Sequence, residues 1–139
     1  MRRFFTVRCL LPIIVAGMLL AAAGCGGMKV VPVNGTAKLD GKPLAGFVVT
    51  FNPDTEKGHS GDMDCSGRIG PDGNFALRTD DRFKVYKGAP PGWYKVTIWS
   101  PDDKPLPVNK KYTDIKKTDL SIEVVENPAP GAYDLKFTK

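Results

Sequence analysis

"NGTAKLDGKPLAGFVVTFNP", residues 34–53, carries two runs of alternating apolar and polar side chains on either side of an aspartate–glycine pair. In the first run, residues 33–39, Val33, Ala37 and Leu39 fall on one face. In the second, residues 46–52, Phe47, Val49 and Phe51 do the same. A period of two sends successive side chains to opposite faces of an extended chain, so each run predicts a strand with one face buried. Asp40-Gly41 is a two-residue hairpin signal because both residue types tolerate positive φ, and Lys42-Pro43 extends the connection.

Working outward, the same alternation predicts strands over 74–79 (Phe75 and Leu77 inward), 93–100 (Tyr94, Val96, Ile98), 119–125 (Leu120, Ile122, Val124) and 132–138 (Tyr133, Leu135, Phe137). A seventh, poorly patterned strand is expected within 58–69. Asp72-Gly73 turns the chain before Phe75, and Pro90-Pro91-Gly92 makes an irregular start to the next strand. Pro101, Pro105 and Pro107 keep strand and helix out of the loop that follows. No segment has a helical period, and repeats and heptads are absent. About seven short strands separated by turns predict an all-β, Ig-like Greek-key β-sandwich over 33–139, a size that buries roughly 65% of its unfolded surface.

Upstream the composition changes. MRRFFTVR, residues 1–8, holds Arg2, Arg3 and Arg8 and no acid, and an apolar stretch runs from Cys9 to Ala23. Basic start, apolar middle and small residues in that order are the layout of a signal peptide. The apolar stretch is broken by Pro12 and is shorter than the roughly 20 residues a membrane-spanning helix needs. Ala22-Ala23-Gly24-Cys25 resembles the lipobox of bacterial lipoproteins, and that resemblance implies a signal peptide over 1–24, a lipid on Cys25 and a short linker over 25–32. Two or three acyl chains would anchor the protein stably where one would not. Gly26 after the cysteine resembles the residue found there in outer-membrane lipoproteins. The seven residues 26–32 reach at most about 23 Å, which keeps the domain near the bilayer. Arg2-Arg3-Phe4-Phe5 resembles part of a twin-arginine signal, although paired arginines also occur in ordinary export signals.

Cleavage before Cys25 removes three arginines, leaving 17 basic and 15 acidic residues, a net charge of about +2. That balance argues against a nucleic-acid partner. The lysine pairs 110–111 and 116–117 read as solvated charge. With Cys9 lost and Cys25 acylated, Cys65 remains alone, a partly buried thiol with no intramolecular partner.

"NGTAKLDGKPLAGFVVTFNP" (34–53), "GPDGNFAL" (70–77), "PPGWYKVTI" (90–98) and "KKYTD" (110–114) together resemble the carboxypeptidase regulatory-like domain, as found in small lipoproteins of planctomycete bacteria. The resemblance spans nearly the whole chain after Cys25 and implies a prealbumin-like (transthyretin-like) sandwich of about seven strands. It implies little about function. The stretch "TEKGHSGDMDCSGRIGPDGNF" departs from the usual short loop and Gly-rich third strand.

Chemistry-bearing residues are few. His59 is the only histidine, and Ser60 and Asp62 stand near it. A serine adjacent to its base points to the opposite face of an extended chain, so His59 is expected as a solvent-exposed loop residue with no catalytic role. The related hydroxyisourate hydrolases use several histidines and a C-terminal Tyr-Arg-Gly-Ser, whereas this chain ends Tyr133-Asp134-Leu135-Lys136-Phe137-Thr138-Lys139. Asp62-x-Asp64-x-Ser66-Gly67 has the opening of a calcium loop, but its twelfth position is Gly73. A turn with solvated acids is expected, with weak calcium binding as the alternative. Asp80-Asp81-Arg82 reads the same way.

Trp93 and Trp99 share strand parity opposite inward Tyr94, Val96 and Ile98. They are expected on the outer face, roughly 20 Å apart. Exposed tryptophans stack on sugars or mark a partner surface; alternatively they pack under the 101–107 loop or the N-terminal link. The expectation is a non-enzymatic, membrane-anchored envelope lipoprotein, facing the periplasm or exterior, with no cofactor and no metal. Its sandwich acts as a binding or structural module for an envelope protein or glycan. The alternatives are a cell-wall-binding module using Trp93 and Trp99, and a hydrolase around His59.

Overall fold

The computed structural model describes residues 27–139. The expected signal peptide, Cys25 and Gly26 lie outside the described residues. Within them the protein is all-β: ten strands in two sheets, with two short 3-10 turns at Thr55–Lys57 and Lys110–Thr113. Among the described residues no helix is long and apolar enough to cross a membrane.

In the first sheet β1 (Asn34–Leu39) is central. It pairs in parallel with β10 (Asp134–Phe137), Thr36 opposite Asp134 and Leu39 opposite Phe137. Its other edge is shared by β2 (Lys42–Pro43) and β5 (Asn74–Ala76), both antiparallel. The second sheet contains β3 (Val48–Pro53), β4 (Cys65–Arg68), β6 (Arg78–Asp81), β7 (Lys84–Lys87), β8 (Gly92–Trp99) and β9 (Ser121–Val124). Their order is β7-β6-β4-β3-β8-β9, antiparallel throughout.

The core lies between the sheets. Phe51 of the second sheet meets Phe75 of the first at 6.2 Å between ring centroids, and Tyr94 packs on Phe51 at 5.9 Å. The expected inward residues are buried from Val33 to Phe137, and only Phe47, Leu120 and Ile122 lie at its margin, partly covered. Leu44, Ile69, Val108 and Tyr112, which come from turns and loops, complete it. Burying a Leu, Val or Phe side chain contributes about 1.5–3 kcal/mol, so these loop residues hold their connections to the sheets.

Three connections differ from the sequence reading. Asp40 (φ 50) and Gly41 (φ 79) form the expected turn, but it returns only into β2. Leu44 N still donates to Ala37 O, and then Gly46, at φ 87, donates to Ile69 O and carries the chain into the other sheet. β1 and β3 are therefore not hairpin partners. The run 74–79 divides at Leu77, whose N–H donates to Val33 O and whose carbonyl accepts from Gly88 N, so β5 and β6 fall in different sheets. β7 was not expected. Its residues KVYK are charged and short, as suits an edge strand that must not pair with another molecule.

Candidate functional site

The outer face of the second sheet is built by the alternate residues that the core does not take. On β8 these are Trp93, Lys95, Thr97 and Trp99. Register sets Asn52 beside Lys95, Thr50 beside Thr97 and Val48 beside Trp99 on β3. It adds Ser66 and Arg68 on β4, then Arg78 on β6. The result is a sheet surface of hydroxyls, amides and cations with a tryptophan at each end of one strand.

The two tryptophans differ. Trp93 is half-buried, and its indole face is taken by the Lys57 ammonium 4.0 Å from the ring centroid. Lys57 Nζ also donates to Ser121 Oγ at 2.8 Å, and nearby Lys95 pairs with Glu56 at 3.2 Å. Cover for Trp93 thus comes from the 3-10 turn at Thr55–Lys57. Trp99 is 49% exposed, and its indole N–H donates to Thr50 Oγ1 at 3.3 Å, which ties one ring edge to β3 while about half of the residue stays open to solvent. Asn52 Nδ2 donates to Lys95 O at 3.0 Å and Thr97 Oγ1 at 3.1 Å, holding the middle of the surface rigid. Arg68, paired with Asp102 at 3.5 Å, borders the Trp99 end.

His59 corrects the sequence reading. It is buried, 8% exposed, with its ring 4.6 Å from that of Tyr94. Its Nδ1 has no hydrogen-bond partner and faces the Cα of Gly92, where an added Cβ would come within 2.2 Å. The physical reason is that the chain, turned at Gly58 (φ 82), lays His59 against Tyr94 and Gly92 at the start of β8, and two glycines, 61 and 92, leave room for the ring. Ser60 is exposed and makes no hydrogen bond to the imidazole, so the two do not form a nucleophile–base pair. The nearby depression, about 220 Å³, is bordered by Lys57, His59, Ser60 and Trp93.

In the calcium-like stretch Ser66 and Gly67 belong to β4, paired with Thr50 and Val49, so the last positions of the motif are sheet residues and not part of a loop. Among the described residues no three His, Cys, Asp or Glu side chains gather as a metal site. Asp80 and Asp81 belong to β6 and are not a free turn.

Cys65 is fully buried and free. Burial pushes its thiol above the ordinary range, and the Asp64 carboxylate adds to that effect. Burial likewise pushes the Tyr94 phenol up, with Cys65 beside it contributing, and Tyr94 Oη donates to Pro90 O at 2.7 Å. A protonated, covered thiol is not a nucleophile.

The other concavities are shallow. One of about 600 Å³ is bordered by Asn34, Thr36, Arg68, Asn74 and Asp134, and an apolar one of about 380 Å³ lies beside Val33, Leu77 and Gly88. In the larger one the Asp134 carboxylate accepts from Thr36 Oγ1 at 2.9 Å. No family model, curated protein or solved structure matches the chain.

Proposed function

We propose that the protein is a non-enzymatic envelope lipoprotein, anchored through Cys25, whose β-sandwich is a binding or structural module of the carboxypeptidase regulatory-like, prealbumin-like kind. The observation that carries the binding role is the outer face of the second sheet, with Trp99 open at one end and a hydrogen-bonded polar floor beside it. The anchor is supported by the order of Arg2, Arg3 and Arg8, the apolar run 9–23 and Ala22-Ala23-Gly24-Cys25. The favoured location is the outer membrane, on the strength of Gly26. The packing of the single histidine against Tyr94 supports a protein without a histidine-based reaction.

The test is intact mass and membrane fractionation of the native protein beside Cys25→Ser in a bacterial host. The native protein is expected to gain acyl mass and to stay with the membrane pellet after a high-salt wash, and the variant to gain no acyl mass and to be released by that wash. Soluble native protein without added mass removes the anchor.

A second reading, a glycan-binding module, is favoured by the exposure of Trp99, since an indole face stacks on the apolar face of a sugar ring. Titration with cell-wall polysaccharides is expected to show binding lost in Trp99→Ala and largely kept in Trp93→Ala, whose ring Lys57 already covers. Equal binding by all three proteins rejects this reading.

A further inference from the structure

Phe83 lies at the turn between β6 and β7 and is 94% exposed, the extreme among the large apolar side chains described. Val85, on the same hairpin, is 51% exposed. A lone aromatic at the tip of a narrow hairpin has no groove beside it and offers far less area than a stable protein interface requires. Its flanks are cationic: Arg82 and Lys84 adjoin it, and Arg78 and Lys87 face each other across the ladder. Asp80 lies opposite Val85, while the Asp81 carboxylate accepts from Arg82 N, so four cations stand against two acids. Aromatic rings with adjacent lysine or arginine suit the boundary between bilayer headgroups and acyl chains, where the ring leaves water and the cations meet phosphates.

The chain's path agrees. Val31 pairs antiparallel with Ala89, and Lys29 pairs with Glu126 just past the end of β9; the register from β6 through to β9 puts that point at the same end of the second sheet as the β6–β7 turn, across the sheet from it. The six residues from Cys25 to Val31 reach at most about 20 Å, and those from Phe83 to Ala89 span no more than that. Both points can therefore reach one plane.

We infer that the β6–β7 hairpin is a second membrane contact, with Phe83 and Val85 entering the interfacial layer of a bilayer and Arg82 and Lys84 pairing with anionic headgroups. This rests on the reading that the protein lives at a membrane, and it would orient the sandwich and hold the Trp99 face in a fixed direction relative to the bilayer.

The experiment uses the full chain carrying Cys25→Ser, so that no lipid is attached, and measures sedimentation with vesicles of phosphatidylglycerol and phosphatidylcholine or of phosphatidylcholine alone. Binding is expected on the anionic vesicles, weakened about tenfold by Phe83→Ser, about fivefold for each of Arg82→Gln and Lys84→Gln, and reduced by added salt. All the proteins share one N-terminal segment, so the differences report the tip, and exposed positions leave folding intact. In cells, a benzophenone photo-crosslinker at position 83 is expected to give phospholipid adducts, and one at Asp103 none. An unchanged affinity in Phe83→Ser, or a crosslink from position 83 to protein or glycan in place of lipid, overturns the inference. Loss of acyl mass in the native protein would overturn the anchor and leave the vesicle comparison standing.

Discussion

The Thr79 hydroxyl lies 3.0 Å from the sulfur of Cys65, across the β4–β6 ladder, and donates at 2.7 Å to the carbonyl of Gly88. The hydroxyl is thus shared between the sulfur and the Gly88 carbonyl, while the thiol donates to Met63 O at 3.9 Å. Burial pushes the thiol up, and the sign follows: its stabilising contribution is whole below about pH 8.5, where an unfolded thiol ionises, and declines as pH rises toward the folded value. Tyr94 acts in the same direction from about pH 10. Melting temperature is expected to fall between pH 8.5 and 10, and less steeply in Cys65→Val. The native thiol is expected to resist a thiol reagent until the protein unfolds.

Gly61 and Gly92 make the slot for His59, which can be tested at the glycine free of positive φ. A Cβ on Gly61 would come within 2.6 Å of His59 Nε2. Gly61→Ala is expected to cost about 1–3 kcal/mol through overpacking, and His59→Ala a similar amount through the cavity beside Tyr94. Together they should cost less than their sum by at least about 0.5 kcal/mol, read by denaturant unfolding. Strict additivity would show that the ring does not occupy the slot.

Gly35 is fixed by crowding between strands. A Cβ there would sit 2.1 Å from the Tyr133 carbonyl oxygen and 2.9 Å from the Phe75 ring, and a backbone carbonyl cannot step aside without prising the chain leading into β10 from β1. Gly35→Ala is expected to lose about 3 kcal/mol or more and to shift the urea midpoint accordingly. Gly27→Ala, with nothing within 4 Å, is the neutral comparison.

Lys57 holds Trp93 from solvent by its ammonium and by its bond to Ser121. In a Trp99→Phe background, Lys57→Gln is expected to make Trp93 fluorescence more sensitive to acrylamide and to cost about 0.5–1 kcal/mol. Unchanged quenching would mean that the lysine does not cover the ring.

The alternation around Asp40-Gly41 was enough to read an all-β protein and its inward faces, because burial of one sheet face leaves a period of two in the sequence. It could not say which strands pair. The change of sheet at Gly46 and the division at Leu77 depend on a few hydrogen bonds to Ile69, Val33 and Gly88, residues distant in sequence. β7 was hidden because an exposed edge strand takes charged residues and loses the pattern. At the site, parity placed Trp93 and Trp99 outward. The unequal cover of the two rings depends on the turn at Thr55–Lys57, which nothing in the local pattern announces. His59 was misread for a related reason: a lone polar residue between glycines looks solvated, and the glycines in fact make room for its ring.

The parallel pairing of β1 with β10 joins the first strand of the domain to its last. A growing chain can therefore hold most of its strands while β1 still lacks one neighbour, and the first sheet closes only after Phe137 has been synthesised. Long-range pairing of this kind slows folding. On the export route proposed above, the delay would be useful: the order of the strands would keep the first sheet open until β10 had crossed.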